Sequence, residues 1–319
     1  MKRSLFTILY LCHSFFLLAQ QNEEAHPDTV KVGAYIISVH DINFHEKEYT
    51  ARFWLWFLHN NENFDFSKQL DIPNAKSIEF EEPILDSLEG KAWVIMKMKC
   101  TMKENWNVAD FPFDKQHLKI LIENTLFDHT SLVFKPDVKG SRFDEDEAID
   151  GWQITNFKVF EKENDYQTGF GDTRVGKEFS VFSQFAVEMD IERDAWGLFM
   201  KIFIGMYIAF FIAAISFVLH PSKLEPRFGL PVGGLFAAVG NKYIIDSLLP
   251  ESSSFSLVDT LHTVTFLSIF ATLVVSAIAL KFYDIGKRET AVTVNKYGSR
   301  IVLSLFVILN IVSVLVALN

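Results

Sequence analysis

The sequence predicts two domains of different fold class: a β-sandwich, followed by an all-α domain of four membrane-spanning helices. The first observation is the mean hydropathy, which is positive at +0.16. The second is the charge distribution: residues 20–195 carry 34 acidic and 19 basic side chains, whereas residues 196–319 carry 6 and 9. The third is a change after Arg193 from alternating, strand-like runs to long apolar runs. A polar domain in water and an apolar domain in a bilayer account for all three.

The chain begins with the features of a secretory signal peptide over residues 1–19. Lys2 and Arg3 precede an apolar run from Leu5 to Ala19, and a polar boundary follows. A basic start, a short apolar centre and a small residue before the boundary are typical of such peptides. An uncleaved membrane anchor is the alternative, although the run is short for a bilayer span. We therefore expect the first domain to be exported.

Residues 20–193 have the pattern of short strands separated by turns. Runs rich in β-branched and aromatic residues occupy 49–58, 92–101, 117–123, 151–160 and 179–189. About ten strands at this spacing predict a single β-sandwich, which we expect to be periplasmic and to bind a ligand. The chain holds two cysteines, too few for a disulfide-rich scaffold.

Residues 194–319 contain four apolar runs, each near the length that crosses a bilayer. The predicted spans are about 196–219, 228–249, 255–280 and 301–318. Lys and Arg gather in the links after the first and third spans, while the second link has none. The positive-inside rule places the basic links in the cytoplasm. The predicted topology is a multi-pass protein of the inner (plasma) membrane, with the β-domain and the C-terminus outside.

Several functions are excluded or disfavoured by the sequence. The net charge of −10 argues against a nucleic-acid partner, because phosphate contacts need clustered Lys and Arg. No Gly-x-Ser-x-Gly, His-Glu-x-x-His or phosphate-binding glycine loop occurs, so we expect no enzyme activity, no cofactor and no metal centre. The acidic run 144–147 could hold a divalent cation, but a solvated loop is the simpler interpretation.

Four short motifs occur in a characteristic order along the chain. They are Phe111-Pro112-Phe113-Asp114 between two strands, Glu192-Arg193 at the entry to the first span, Glu225 before the second span, and Leu249-Pro250 after it. In this order the chain resembles the pentameric ligand-gated ion channels, the Cys-loop receptor superfamily, in the bacterial form that lacks the Cys-loop cysteines. The resemblance extends from about Val30 to the C-terminus. It implies a homopentamer in the lipid membrane, a small-molecule or proton agonist, and permeating inorganic ions.

The resemblance also implies an interface that couples the two domains. Asp114 and Arg193 would form an ion pair where the β-domain meets the membrane. Pro112 and Phe113, together with Leu249 and Pro250, would supply the apolar part of this surface. Two solvated surface charges are the alternative interpretation of Asp114 and Arg193.

The second span carries a stripe of residues at helical spacing. It consists of Glu225, Gly229, Gly233, Phe236, Gly240, Tyr243 and Ser247. Steps of three and four residues place them on one face of a helix. In a fivefold ring, Glu225 would form a carboxylate ring that favours cations, and Phe236 an apolar constriction that gates by dewetting.

Two alternatives concern this stripe. Glycines on membrane helices often mark close helix packing rather than a pore, and Arg227 could neutralise Glu225. A non-conducting envelope receptor on the same scaffold is therefore the second functional hypothesis.

Near the other end of the span, Lys242 and Asp246 are spaced for an ion pair, which Asp259 and His262 could join.

Agonists of the family bind in an aromatic cage of the outer domain, held by cation–π attraction. By local context the candidates for the cage are Trp54, Phe127, Tyr166, Phe170 and Phe179. In a sandwich with so many aromatic residues, packing in the core is the alternative for each of them.

Overall fold

A computed structural model describes residues 26–146, 149, 151–173, 179–250 and 254–318 of the chain. The expected signal peptide, residues 1–19, and Glu147 of the acidic run lie outside the described residues. Within them the chain forms a sheet-rich N-terminal domain followed by four long apolar helices. This organisation is compatible with the predicted β-sandwich and four-helix membrane domain.

The N-terminal domain is built from two sheets. The strands are β1 (Asp28–Asn43), β2 (Glu48–His59), β3 (Leu70–Asp71), β4 (Ala75–Phe80), β5 (Ile84–Leu88), β6 (Lys91–Lys103), β7 (Lys115–Asn124), β8 (Leu132–Pro136), β9 (Arg142–Phe143), β10 (Trp152–Asp165) and β11 (Val181–Arg193). One sheet has the order β4-β6-β2-β1-β8, with β5 beside β6 and β9 beside β1, and the other has the order β10-β11-β7-β3. A four-residue helix, α1 (Phe66–Gln69), precedes β3.

Alternation of side chains explains why these strands bury one common core. In β2, Phe53, Leu55 and Phe57 are fully buried, whereas Trp54 and Trp56 between them are half-exposed. Successive strand residues point to opposite faces, so every second residue reaches the core. Residues of both sheets contribute to a single cluster of buried side chains, for example Leu55 of the first sheet and Phe185 of the second.

The four long helices are α2 (Ala195–Ile215), α3 (Leu224–Asp246), α4 (Leu257–Asp284) and α5 (Arg288–Ala317). By length and composition each could cross a membrane. The main difference from the sequence prediction concerns α5, which begins 13 residues before the predicted span, so the link to α4 covers residues 285–287 only. The first turns of α5 are polar and largely exposed, and hydropathy cannot identify such turns as helix.

Successive helices run in opposite directions, so the bundle has two distinct ends. At one end α2 follows β11 after the single residue Asp194, and the backbone N–H of Leu257 donates to the carbonyl of Ala109 at 2.7 Å. The opposite end carries the α2–α3 and α4–α5 links, with Lys223 and Lys287 preceding their helices. We call this opposite end the basic end.

Helix α3 packs closely against α2 at one glycine. A Cβ atom on Gly234 would lie 2.5 Å from the backbone oxygen of Ala209 and 3.3 Å from the Cβ of Ala213. The neighbouring Gly233 has no atom within 4 Å of the equivalent position. Only one of these adjacent glycines is therefore required by the fold of the chain.

We predict opposite effects of alanine at these two positions. Gly234→Ala forces a methyl group against a backbone carbonyl and should destabilise the bundle by about 1–3 kcal/mol. Gly233→Ala should be neutral or stabilising by up to about 1 kcal/mol, because alanine is the better helix former. Thermal unfolding of the purified proteins in detergent compares them directly. Equal melting temperatures for the two variants would contradict the close packing at Gly234.

Candidate functional site

The stripe predicted to line a pore is the exposed face of α3. All seven of its members, Glu225, Gly229, Gly233, Phe236, Gly240, Tyr243 and Ser247, are exposed in the single chain. The aromatic side chains of Phe236 and Tyr243 are 72% and 77% exposed. The buried residues of the same helix are Arg227, Pro231, Gly234, Ala238 and Ile245. At 3.6 residues per turn the two sets are centred roughly 170° apart.

The glycines of the stripe do not serve packing within the chain. A Cβ atom on Gly229, Gly233 or Gly240 would meet no atom within 4 Å. Helix α3 is also the least apolar of the four, with a peak hydropathy of 1.2 against 2.2 to 2.5 for the others. A face that is aromatic, small and acidic, on the least apolar helix, suits contact with other copies of the chain or with water better than contact with lipid.

The position of Arg227 disfavours the alternative that it neutralises Glu225. Arg227 is fully buried on the opposite side of α3. Its Nη1 donates to the carbonyl of Leu219 at 2.9 Å, and its Nη2 donates to Ser276 Oγ at 3.3 Å and to Asn295 Oδ1 at 2.6 Å. The guanidinium is thus directed into the bundle, while Glu225 stays on the exposed face.

The ion pair expected near the other end of α3 is present and is shared with α4. Lys242 Nζ lies 2.9 Å from both carboxylate oxygens of Asp246 and 2.8 Å from Asp259 Oδ1. His262 makes different contacts: its Nδ1 lies 2.8 Å from the carbonyl of Val258 and its Nε2 lies 3.1 Å from Asn241 Oδ1.

Asp114 and Arg193 lie in contact where β11 leads into α2. Arg193 Nε donates to Asp114 Oδ1 at 3.2 Å, and the two side chains are 14% and 1% exposed. Gln116 Nε2 donates to the other carboxylate oxygen at 2.6 Å. Burial raises the pKa of Asp114 even though Arg193 acts to lower it. The pair is therefore a desolvated one, which loses much more than a surface pair when one partner is removed.

Three aromatic rings surround the guanidinium of Arg193. Its Cζ atom lies 4.1 Å from the ring centre of Trp152, 5.1 Å from that of Phe44 and 5.2 Å from that of Phe111. Such contacts stabilise a cation that has lost most of its water. Sequence reasoning missed Phe44 and Trp152, because they lie far from Arg193 along the chain and carry no motif.

The remaining predicted interface residues lie on both sides of the same junction. The Phe113 ring packs against the first turn of α2, with its centre 5.1 Å from Trp196 and 5.4 Å from Phe199. Pro112 is buried in the same loop. Leu249 and Pro250 are buried after the end of α3, where they line a pocket of about 450 Å³ together with His45, Val108 and the Lys242 network.

Two of the predicted cage residues share a pocket in the sheet-rich domain. The rings of Tyr166 and Phe170 are 5.4 Å apart, and the Tyr166 ring is 5.8 Å from Phe182. All three line a pocket of about 460 Å³. The charged residues lining it, within the described part of the chain, are Asp71, Glu123, Asp128 and Asp172. We call this the acidic aromatic pocket.

Glu123 is the buried carboxylate of this pocket. It accepts hydrogen bonds from Asn164 Nδ2 at 2.8 Å, from the Tyr166 hydroxyl at 2.7 Å, and from Gln184 Nε2. Burial and the neighbouring Glu123 carboxylate raise the pKa of Tyr166 well above its ordinary value, so Tyr166 stays a neutral donor at physiological pH. All three donors are neutral side chains, so no Lys or Arg is among these hydrogen-bond partners of Glu123.

The other predicted cage residues lie elsewhere. Phe127 packs against the core, with its ring 4.8 Å from Phe64. Trp54 lies on the first sheet with Lys97 Nζ 5.5 Å above its ring, so a cation of the same chain already occupies that face. Phe179 is 56% exposed and is not among the residues lining the acidic aromatic pocket.

No family model matches the chain, and no curated protein matches its sequence. Among the described residues, no group of three or more His, Cys, Asp or Glu side chains is arranged to hold a metal ion. Function must therefore be argued from the geometry of α3, the junction and the pocket.

We predict that Asp114 and Arg193 are energetically coupled. Asp114→Asn or Arg193→Gln alone leaves the other group buried without its partner, which should cost about 3–5 kcal/mol. The double variant should cost clearly less than the sum of the two single changes. The measurement is a double-mutant cycle of thermal or denaturant unfolding. Additive losses would mean that the two charges are independent.

Proposed function

We propose that the chain is one subunit of a homopentameric, ligand-gated, cation-selective ion channel of the inner (plasma) membrane. The observation that carries the proposal is the two-sided character of α3. One side is packed into the subunit, and the other exposes an acidic residue, three glycines and two aromatic rings in a single line. A stripe of this kind suits a helix that lines a water-filled path between several copies.

In this proposal each position of the stripe forms a ring of five identical residues around the pore, one from each subunit. Glu225 contributes a ring of carboxylates at the basic end, and rings of acidic side chains favour cations. Phe236 contributes an apolar constriction about halfway along the helix, where closure by dewetting needs no further group. The three glycines leave the path wide between Glu225, Phe236 and Tyr243.

The junction supplies a route by which the sheet-rich domain could act on the pore. Arg193 ends β11, and α2 begins two residues later. Asp114 holds Arg193 in place from the loop before β7, while Ala109 of the same loop accepts a hydrogen bond from the start of α4. A shift of β11 relative to this loop would therefore be passed to α2 and, through α4, to the contact between Asp259 of α4 and Lys242 of α3.

The acidic aromatic pocket is the proposed agonist site. Its carboxylates attract a cation, and the rings of Tyr166, Phe170 and Phe182 offer π faces to an ammonium group. A volume of about 460 Å³ suits a small molecule. We therefore propose small amines as agonists and inorganic cations as the permeating species.

The proposed topology follows the charges at the two ends of the bundle. The basic end faces the cytoplasm according to the positive-inside rule. The sheet-rich domain, a β-sandwich in this proposal, is then periplasmic, as is the end of α5. This placement agrees with export by the signal peptide predicted over residues 1–19.

A non-conducting envelope receptor is the second candidate. The exposed glycines of α3 motivate it, because a stripe of small residues also suits close packing between subunits. Proteoliposome flux and planar-bilayer recording in asymmetric salt separate the two candidates. Amine-evoked cation current supports the channel; intact oligomers that bind amines and pass no current support the receptor.

We predict that Glu225→Gln lowers the preference for cations. The change removes the proposed carboxylate ring and keeps the side-chain size, so the reversal potential in a salt gradient should move toward zero. Glu289→Gln is the matched control, because Glu289 is an exposed acid in the first turn of α5 at the same end of the bundle. An unchanged reversal potential in Glu225→Gln would overturn the ring assignment.

We also predict that Phe170→Ala weakens amine binding. Loss of a cation–π contact worth about 0.5–2 kcal/mol corresponds to about 2- to 30-fold weaker binding. Titration calorimetry with a panel of small primary amines measures the effect. Phe80→Ala is the control, since Phe80 is also exposed on the sheet-rich domain but lies outside the pocket. Equal affinities for both variants would exclude the pocket as the amine site.

A further inference from the structure

Arg227 is a fully buried cation whose contacts all lie inside the helix bundle. Its partners are the carbonyl of Leu219, the hydroxyl of Ser276 and the side-chain oxygen of Asn295. These groups belong to the turn that follows α2, to α4 and to α5. Asn295 in turn donates from Nδ2 to the carbonyl of Phe217 at 2.8 Å. One arginine on α3 therefore links all four helices at the basic end; we call this set of bonds the latch.

The latch supplies neutral oxygen acceptors to a buried charge, and none of the three acceptors is an acidic side chain. An ionised group away from water is costly unless it is paired or hydrogen-bonded. Phe217 and Leu219 follow the C-terminus of α2, where unpaired carbonyl groups carry partial negative charge. The guanidinium, directly and through Asn295, uses these carbonyls as its counter-charge. If Arg227 moved away from α2 and α5, its buried charge would lose these hydrogen-bond acceptors and would be left uncompensated.

The position of Arg227 connects the latch to the pore. It lies two residues after Glu225, which is about 3 Å along the helix axis. Its side chain is directed into the bundle, while Glu225 belongs to the exposed face. Holding Arg227 against the turn after α2, against α4 and against α5 consequently fixes the first turn of α3 relative to the other three helices.

We propose that Arg227 is a positioning residue for the Glu225 ring, and that the latch with Asn295 sets the radius of the ring and hence its selectivity for cations. The inference rests on the proposed channel function. A purely electrostatic role of Arg227 predicts the opposite sign. Removing a positive charge beside the ring would then strengthen the preference for cations, whereas loss of positioning should weaken it.

The decisive measurement is the reversal potential of two variants in a salt gradient. Arg227→Gln and Asn295→Ala should both move it toward zero, although the second changes no charge. Lys223→Gln controls for loss of a positive charge at the same mouth, and Asn310→Ala controls for loss of a buried amide from α5; both should keep the wild-type value. A stronger cation preference in Arg227→Gln, or a wild-type value in Asn295→Ala, would overturn the proposal.

A second readout does not depend on conduction. In Glu225→Cys protein, mild oxidation should join neighbouring subunits through a disulfide if the ring exists. Adding Asn295→Ala should lower the yield of cross-linked dimer, and adding Asn310→Ala should not. Cross-linking that is insensitive to Asn295→Ala would reject the latch alone. Absence of any cross-link in Glu225→Cys would reject the ring, and with it the proposed pore.

Discussion

The buried pair of Asp114 and Arg193 is the interaction on which the relation between the two domains depends. It lies at the one covalent passage from the sheets to the helices, where a single residue separates β11 from α2. Because both side chains are largely removed from water, separating them costs far more than separating a surface pair. The end of β11, the loop before β7 and the start of α2 are thereby constrained to move together.

Helix α3 is held in a different way, by a few discrete contacts. Arg227 fixes it at the basic end, Gly234 allows close approach to α2 in the middle, and Lys242 joins it to Asp259 of α4 near the sheet-rich domain. Its opposite face is exposed in the single chain. A tilt or shift of α3 within the bundle must change at least one of these three contacts. The helix can therefore tilt about the glycine contact only if a polar contact at one end gives way.

The sequence predicted the parts of this structure that depend on local pattern. Runs rich in β-branched and aromatic residues indicated β2, β6, β7, β10 and β11 but not the other strands. Hydropathy indicated the helices, and three-four spacing indicated the exposed face of α3. It did not predict the start of α5, because the turns from Arg288 onward are polar. It also did not indicate the buried environment of Arg227. Its closeness to Glu225 in sequence left open that it neutralises that residue, but residues two apart on a helix lie about 200° apart around the axis and do not face each other.

Local sequence pattern also explains why only part of the predicted aromatic cage was found in one place. Tyr166 and Phe170 lie close together along the chain and share a pocket, so their neighbourhood follows from local sequence. Phe127 lies in the loop after β7, and Trp54 lies in β2. Only the folded chain brings Phe127 against the core and places Lys97 over Trp54, its cross-strand partner. Nothing in the sequence indicated that Glu123 is the buried acid of the pocket, because an acidic residue next to the end of a strand is ordinary.

The loop between β6 and β7 shows how the junction is held without a disulfide bond. Gln116 Nε2 donates to the carbonyl of Asn107 at 2.7 Å, and the N–H of Asn107 donates to Gln116 Oε1 at 3.0 Å, so reciprocal hydrogen bonds close the loop at its base. Trp106 adds a hydrogen bond to the carbonyl of Asn43 and a ring contact with Phe44 at 4.8 Å. A disulfide closing a loop of this size would contribute about 3 kcal/mol. Two hydrogen bonds of about 1 kcal/mol each and a buried aromatic pair of about 1 kcal/mol reach the same range. The aromatic residues that surround Arg193 therefore also hold the loop that carries Asp114, so the loop and the ion pair are stabilised by one cluster.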